Sequence, residues 1–268
     1  MTVSMAQPDW QQLSTDVISL LKEGRRQVLA KMHQTLTVDE KTSRKDLVTN
    51  VDKGNEQFLI GGIRALDPDA QVLGEEGFGD TVTSLTGRVW IVDPIDGTMN
   101  FVKQRDHFAM MIGIYQDGVG QLGFIYDVMN DVVYAGGPAV GGVWANDRQL
   151  NAPANLALAD GLMGMSAPLA LHDVAHTQAI VEASSGMRVY GSAGIEIIHV
   201  LLGKTLGYIS QLKPWDIAAG QILLNTLGVR VSTIDGQPLD MLSSNLVLVA
   251  TEQAQRDILR IEEDDVSL

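Results

Sequence analysis

The stretch Trp90-Ile-Val-Asp93-Pro-Ile-Asp96-Gly-Thr98-Met-Asn-Phe101 holds two carboxylates three positions apart at the end of an apolar run. Val89–Val92 reads as a buried strand that delivers Asp93 at its C-terminal end. Pro94 has no N–H to give to a ladder, so the chain is expected to turn there. Such a turn aims the Ile95 carbonyl and both carboxylates at one point. Gly97 permits a tight bend without a Cβ, and Thr98 has the side chain of a helix N-cap. Two hard anionic ligands and a backbone oxygen suit Mg2+ or Mn2+ rather than softer metals. The free N–H groups of a helix start beside them suit an anion. Asp-Pro and Asp-Gly are also common turn dipeptides, and a bare turn is the competing reading of this stretch taken alone.

Three other acidic positions bear on that choice. Gly74-Glu75-Glu76-Gly77 follows the apolar run Gln71–Leu73, so Glu75 sits where a strand opens into a loop. Pro214-Trp215-Asp216 opens a helix, and Asp46-Leu-Val-Thr49-Asn-Val-Asp52 leads into another. Taken singly, Glu75 reads as a solvated loop acid, and Asp216 and Asp52 read as ordinary helix N-caps.

The elements that must carry these side chains show in the hydrophobic spacing. Leu13, Val17, Leu20, Leu21 and Val28 recur at helical period between about Trp10 and His33, and a second helix is expected after Asp52 with Phe58, Leu59 and Ile63 on one face. Arg88–Val92, Ala109–Tyr115, Gln121–Asp127 and Val132–Ala135 read as strands. Asp117-Gly118 and Gly136-Gly137-Pro138 between them suggest antiparallel hairpins. After Asn151, strand-like runs at Gly161–Met165, Leu206–Ile209, Val229–Ser232 and Leu246–Ala250 alternate with helices near Asp173–Ala183, Ala193–Gly203 and Ile217–Leu227. Such alternation suggests a layered α/β half. We read two packed subdomains, 1–150 and 151–268, joined near Leu150–Asn155.

Composition narrows the function classes. The chain has 268 residues, 45% of them hydrophobic and 19% charged, which is ordinary for a globular protein. Acidic residues outnumber basic ones 33 to 19, a formal net charge of −14. That balance argues against unaided binding to nucleic acid or anionic lipid. Cysteine is absent, which excludes disulfides, thiolate metal sites and thiol nucleophiles. No basic segment followed by an apolar stretch opens the chain, and no apolar run nears the ~20 residues of a membrane span. A soluble, cytoplasmic protein is the expectation.

The four acidic segments, in this order, resemble the inositol monophosphatase family of Mg2+-dependent, lithium-sensitive phosphatases, relatives of the fructose-1,6-bisphosphatases and of phosphatases acting on 3′-phosphorylated nucleotides. The resemblance runs from Lys41 to about Gly228; its central motif is Val92–Thr98 with Asn100 and Phe101, and its second is Trp215–Gly220. It implies an α+β, layered α/β fold, an alternating α-β-α-β-α sandwich of the sugar-phosphatase kind. Glu75, Asp93 and the Ile95 carbonyl would then hold one Mg2+. Asp93, Asp96 and Asp216 would hold a second, and a weaker third near Glu75 would help to activate water. Gly97 and Thr98 would meet phosphate through backbone N–H groups, Asp52 would accept from the Thr98 hydroxyl, and Lys41 would screen the incoming ester. Five carboxylates (Asp52, Glu75, Asp93, Asp96, Asp216) facing a dianionic ester require such counter-charge. The family commonly forms homodimers, and the same is implied here.

Substrate selection in the family leans on the C-terminal half. Gly191-Ser192-Ala193-Gly194 resembles the segment that lines the sugar or inositol ring. Animal members place a glutamate shortly before the Trp-Asp pair, whereas Tyr208-Ile-Ser210-Gln211-Leu-Lys213-Pro214 has no acid. Ser210 or Gln211 is left to bind a hydroxyl, and Lys213 favours a second phosphate. Inositol monophosphate ranks first as substrate, ahead of fructose 1,6-bisphosphate and 3′-phosphoadenosine 5′-phosphate. A non-catalytic, sugar-phosphate-binding regulator is the alternative of a different class. The Gly118-Val-Gly120-Gln-Leu-Gly123 pattern runs into strand-like residues, so it does not read as a dinucleotide site.

Overall fold

Asp9 starts the first helix, its carboxylate accepting from the backbone N–H groups of Gln11 and Gln12 at 3.1 Å each. The computed structural model describes residues 8–34, 36–43 and 46–265. The first seven residues, part of the segment read for a leader, lie outside these. Helix α1 (Trp10–Met32) buries Leu13, Val17, Leu21 and Val28, while Leu20 stays partly exposed. A hairpin of β1 (Val38–Ser43) and β2 (Asp46–Thr49) leads into α2 (Asn50–Leu66). That helix starts before Asp52, not after it, because Thr49 is the N-cap and Asp52 closes a capping box from the third helical position.

The next strands are β3 (Gln71–Gly74) and β4 (Arg88–Asp96), followed by the short helix α3 (Thr98–Lys103). An antiparallel meander continues through β5 (Ala109–Gln116), β6 (Val119–Asp127), β7 (Val132–Gly137), β8 (Gly142–Ala145) and β9 (Arg148–Gln149). These seven strands form one sheet in sequence order, antiparallel except for β3 beside β4. Asp117 and Gly118, with φ of 50° and 79°, make the β5–β6 turn that the Asp-Gly pair signalled. The second turn comes just after the Gly-Gly pair, between Gly137 and Gly142, since both Gly136 and Gly137 still pair in the ladder. Gly120 and Gly123 sit inside β6, with a strand and no helix following.

The second half supplies β10 (Met163–Met165), α4 (Ala167–His172), α5 (Thr177–Ala183), β11 (Met187–Arg188), α6 (Ala193–Leu201), β12 (Gly207–Leu212), α7 (Pro214–Thr226), β13 (Arg230–Thr233), β14 (Asn245–Ala250) and α8 (Glu252–Asp265). Its five-stranded sheet runs β11-β10-β12-β14-β13. The single helix expected over Asp173–Ala183 is broken, because Asp173, Ala175 and His176 adopt φ of 49°, 54° and 47°.

Five layers result. Helices α1 and α2 cover one face of the seven-stranded sheet, α6 and α7 lie between the two sheets, and α4, α5 and α8 cover the far side. Both faces of β5 are therefore dry. Met110, Ile112 and Ile114 pack towards α1 and α2, and Ala109, Met111 and Tyr115 towards α6 and α7. This explains a continuous apolar run where an alternating one would mark a half-exposed strand. Among the described residues, no helix is long and apolar enough to cross a membrane.

Candidate active site

The site forms where β4 ends. Pro94 does not turn the chain out of the sheet as expected. The ladder slips into a bulge between Asp93↔Met111 and Asp96↔Ala109, and both aspartates stay in β4. A bulge absorbs the missing N–H and re-aims the side chains around it. Asn55 of α2 secures it by donating to the Pro94 carbonyl at 2.7 Å. The Ile95 N–H donates to Asp93 Oδ1 at 3.0 Å.

Gly97, with φ of 86°, is the residue before α3, and Thr98 is the first helical residue, not the N-cap. A Cβ at Gly97 would lie 2.8 Å from the Ser192 Cβ, so both the backbone angle and the space demand glycine. The Thr98 hydroxyl lies 2.8 Å from Asp52 Oδ1 and 3.1 Å from the Ile95 carbonyl. Asp52 Oδ2 in turn accepts from the Thr49 backbone N–H at 3.0 Å and from its hydroxyl. Asp216 is likewise not an N-cap. It occupies the third position of α7 and accepts from the Lys213 N–H at 2.7 Å.

Ligand oxygens of Asp93, Asp96 and Asp216 all lie within 4.8 Å of one another. With Leu47, Glu75, Ile95, Gly97, Thr98, Met99 and Gly191, they line an open cavity of about 190 Å³. Burial, then the Glu75, Asp96 and Asp216 charges, push the Asp93 carboxyl well above the ordinary range. Asp216 is raised to about 7 by burial and then by Asp96. Glu75 is raised to about 7 by burial, with Lys41 working against the shift. The Lys41 ammonium lies 2.7 Å from Glu75 and 2.6 Å from Glu76. Burial disfavours its charge, but the two glutamates outweigh this and hold its pKa above the usual lysine value. One ammonium opposite so many converging carboxylates leaves the cluster short of positive charge. Hard oxygen donors in that condition fit a divalent cation.

The substrate-side readings change more. Ser192 and Ala193, expected to line the ring, turn their polar groups to Asp96. The Ser192 hydroxyl and the Gly194 N–H (2.8 Å) reach Oδ2, and the Ala193 N–H reaches Oδ1 at 3.0 Å. A carboxylate buried at the end of an internal strand needs those donors. Ser210 is buried on β12 and does not line the cavity, and Gln211 points away to Ser244 at 2.9 Å. Gly191 does reach the cavity. Sequence reasoning missed Leu47, Met99, Asn55 and Glu56. The last two carried a signal, as polar residues three and four positions after Asp52 on a helix face otherwise turned to the core.

The inositol monophosphatase family model matches residues 9–265. The chain belongs to the inositol monophosphatase family. Inositol-1-monophosphatase of Bacillus subtilis (strain 168) is 36% identical over 255 residues, covering 93% of this chain and 96% of that protein. The crystal structure of inositol monophosphatase II from Staphylococcus aureus MSSA476 aligns with a TM-score of 0.83 at 35% identity, over 93% of this chain and 92% of that one. An IMPase/NADP phosphatase solved with Mg2+ and phosphate aligns with a TM-score of 0.87 at 28% identity, over 95% and 96%. The sandwich described above is this family's fold, and the chain is a phosphatase.

Proposed function

We propose that the chain is a Mg2+-dependent phosphomonoesterase acting first on inositol monophosphate. The convergence of Asp93, Asp96 and Asp216 beside Glu75 and the Asp52–Thr98 pair is the observation that carries this reading. Asp93, Asp96 and Asp216 would hold one ion, and Glu75, Asp93 and the Ile95 carbonyl another, with a weaker third at Glu75. Bound there, the ions supply positive charge against the ester and Lewis-acid activation of water.

The chain's own residues do the rest. Asp52 draws the Thr98 proton towards itself, which leaves the hydroxyl lone pairs free to orient a water and take its hydrogen bond. The Gly97 and Thr98 amides, at the start of α3, hold phosphate oxygens. Lys41 leaves its glutamates to screen the entering ester. The same reading divides the chain near residue 150 into an N-terminal part with metal-binding carboxylates and a C-terminal part with the substrate-recognition segments and Asp216. A homodimer, checked by light scattering, and inhibition by LiCl complete it.

The deciding experiment assays inositol 1-phosphate, fructose 1,6-bisphosphate, NADP and 3′-phosphoadenosine 5′-phosphate with and without MgCl2. Mg2+-dependent phosphate release, highest on inositol 1-phosphate, is expected. Ligand binding without release from any ester would point to the regulatory alternative instead.

A further inference from the structure

Helix α2 sends three fully buried polar side chains, Asp52, Asn55 and Glu56, from one face into three different parts of the site. Asp52 reaches Thr98, and Asn55 reaches the Pro94 carbonyl. Glu56 reaches the loop that carries Glu75. Its Oε2 accepts from the Glu76 N–H at 2.6 Å and its Oε1 from the Phe78 N–H at 2.9 Å. Gly74 lies directly against it, and a Cβ there would stand 2.5 Å from Glu56 Oε1. The Glu76 and Phe78 amides, one and three residues after Glu75, are thus tied to one carboxylate, and Gly74, the residue before Glu75, packs against the same group. The Glu75 N–H itself is held by the Val92 carbonyl at 3.3 Å.

We infer that Glu56 is a positioning residue for Glu75: it does not line the cavity, and it sets the loop so that the Glu75 carboxylate meets the Asp93 cluster. The inference rests on the metal site proposed above. A carboxylate is required because both donors are backbone N–H groups and each needs an acceptor. Glu56→Gln presents an amide NH2 to one of them, leaving a buried donor unpaired and releasing one end of the loop. Aspartate is shorter by one methylene and cannot span both.

Calorimetric titration of the metal-free protein with MgCl2, alongside thermal melting, tests this. Wild type should bind Mg2+, and Glu56→Gln should stay folded while binding about 10- to 100-fold more weakly, as expected for loss of a residue that orients a ligand. In the assay the MgCl2 concentration for half-maximal rate should rise, with kcat largely recovered at saturation. Gly74→Ala leaves Glu56 chemically intact but displaces it, so it should weaken Mg2+ binding in the same direction even where Glu56→Gln folds poorly. A merely structural role would lower the melting temperature and leave Mg2+ affinity alone, and that result in either folded variant overturns the inference. If wild type binds no Mg2+, the metal-site reading falls and takes this inference with it.

Discussion

Thr98, the first residue of α3, has its hydroxyl 2.8 Å from Oδ1 of Asp52, the third residue of α2. Two helix starts, far apart in sequence, thereby meet at the cavity wall. Removing the hydroxyl with Thr98→Ala should lower kcat by about 10²–10⁴, the usual yield of positioned proton transfer, with little change in melting temperature. Thr98→Ser should retain most activity. Asp52→Asn should cost as much rate and also lower the melting temperature, because Asp52 closes the capping box of α2. The double variant should be no slower than the worse single one, since the two act as a unit. Additive losses in phosphate-release kinetics would separate their roles.

Burial lifts Glu75 and Asp216 to about 7, from ordinary values of 4.5 and 3.8. The folded, metal-free protein therefore holds these protons more tightly than the unfolded chain does. The contribution of these two groups to stability should be largest below about pH 4, fall as pH rises to about 7, and level off above. Mg2+ competes with the same protons, so its stabilising effect should grow across that window and then plateau. Melting curves at constant ionic strength, with and without MgCl2, check this. An increment from Mg2+ that is equal at pH 5 and pH 8 would contradict it.

Asp93 lies at the centre of the cluster, buried and facing Glu75, Asp96 and Asp216. Asp93→Asn keeps an oxygen to accept from the Ile95 N–H and removes one of the repelling acids. Phosphate release should fall by several orders of magnitude, while the metal-free variant melts no lower than wild type above pH 7. Near-normal turnover at saturating MgCl2 would rule Asp93 out as a shared metal ligand.

What could be read from the sequence was what local chemistry encodes. Asp93, Asp96, Gly97 and Thr98 stand in one short segment in which Pro94 interrupts the ladder and Gly97 admits a left-handed backbone, so their closeness is largely local. The strands on either side carry apolar runs that only a two-sided core explains. The partners of Asn55, Glu56 and Ser192 were not legible, because they lie 20 to 96 residues away: the Glu76 N–H for Glu56, the Pro94 carbonyl for Asn55 and the Asp96 carboxylate for Ser192. Nothing in a helical repeat says which distant N–H a buried carboxylate will meet. The caps failed for a nearer reason. Thr49 and Lys213 precede Asp52 and Asp216 by three residues, and an acid at the third helical position reads much like one at the cap.

Ser192 offers a direct test between two roles. Its hydroxyl donates to Asp96 Oδ2 and accepts from the Ile195 N–H at 3.2 Å, capping α6. Were Ser192 a contact to the substrate ring, Ser192→Ala would raise KM for the ester and leave the Mg2+ requirement unchanged. The observed bonds predict the opposite split. Asp96 keeps the Ala193 and Gly194 donors but loses the third, so Mg2+ affinity should drop about tenfold, the lower end of what outer-shell partners contribute. Loss of the cap should cost about 0.5–2 kcal/mol. Ser192→Thr, which retains the hydroxyl, should restore Mg2+ affinity if the pocket admits its methyl group. Titration of activity against MgCl2 at saturating ester, and against ester at saturating MgCl2, gives the two constants separately. A KM effect alone would return Ser192 to the substrate side of the cavity.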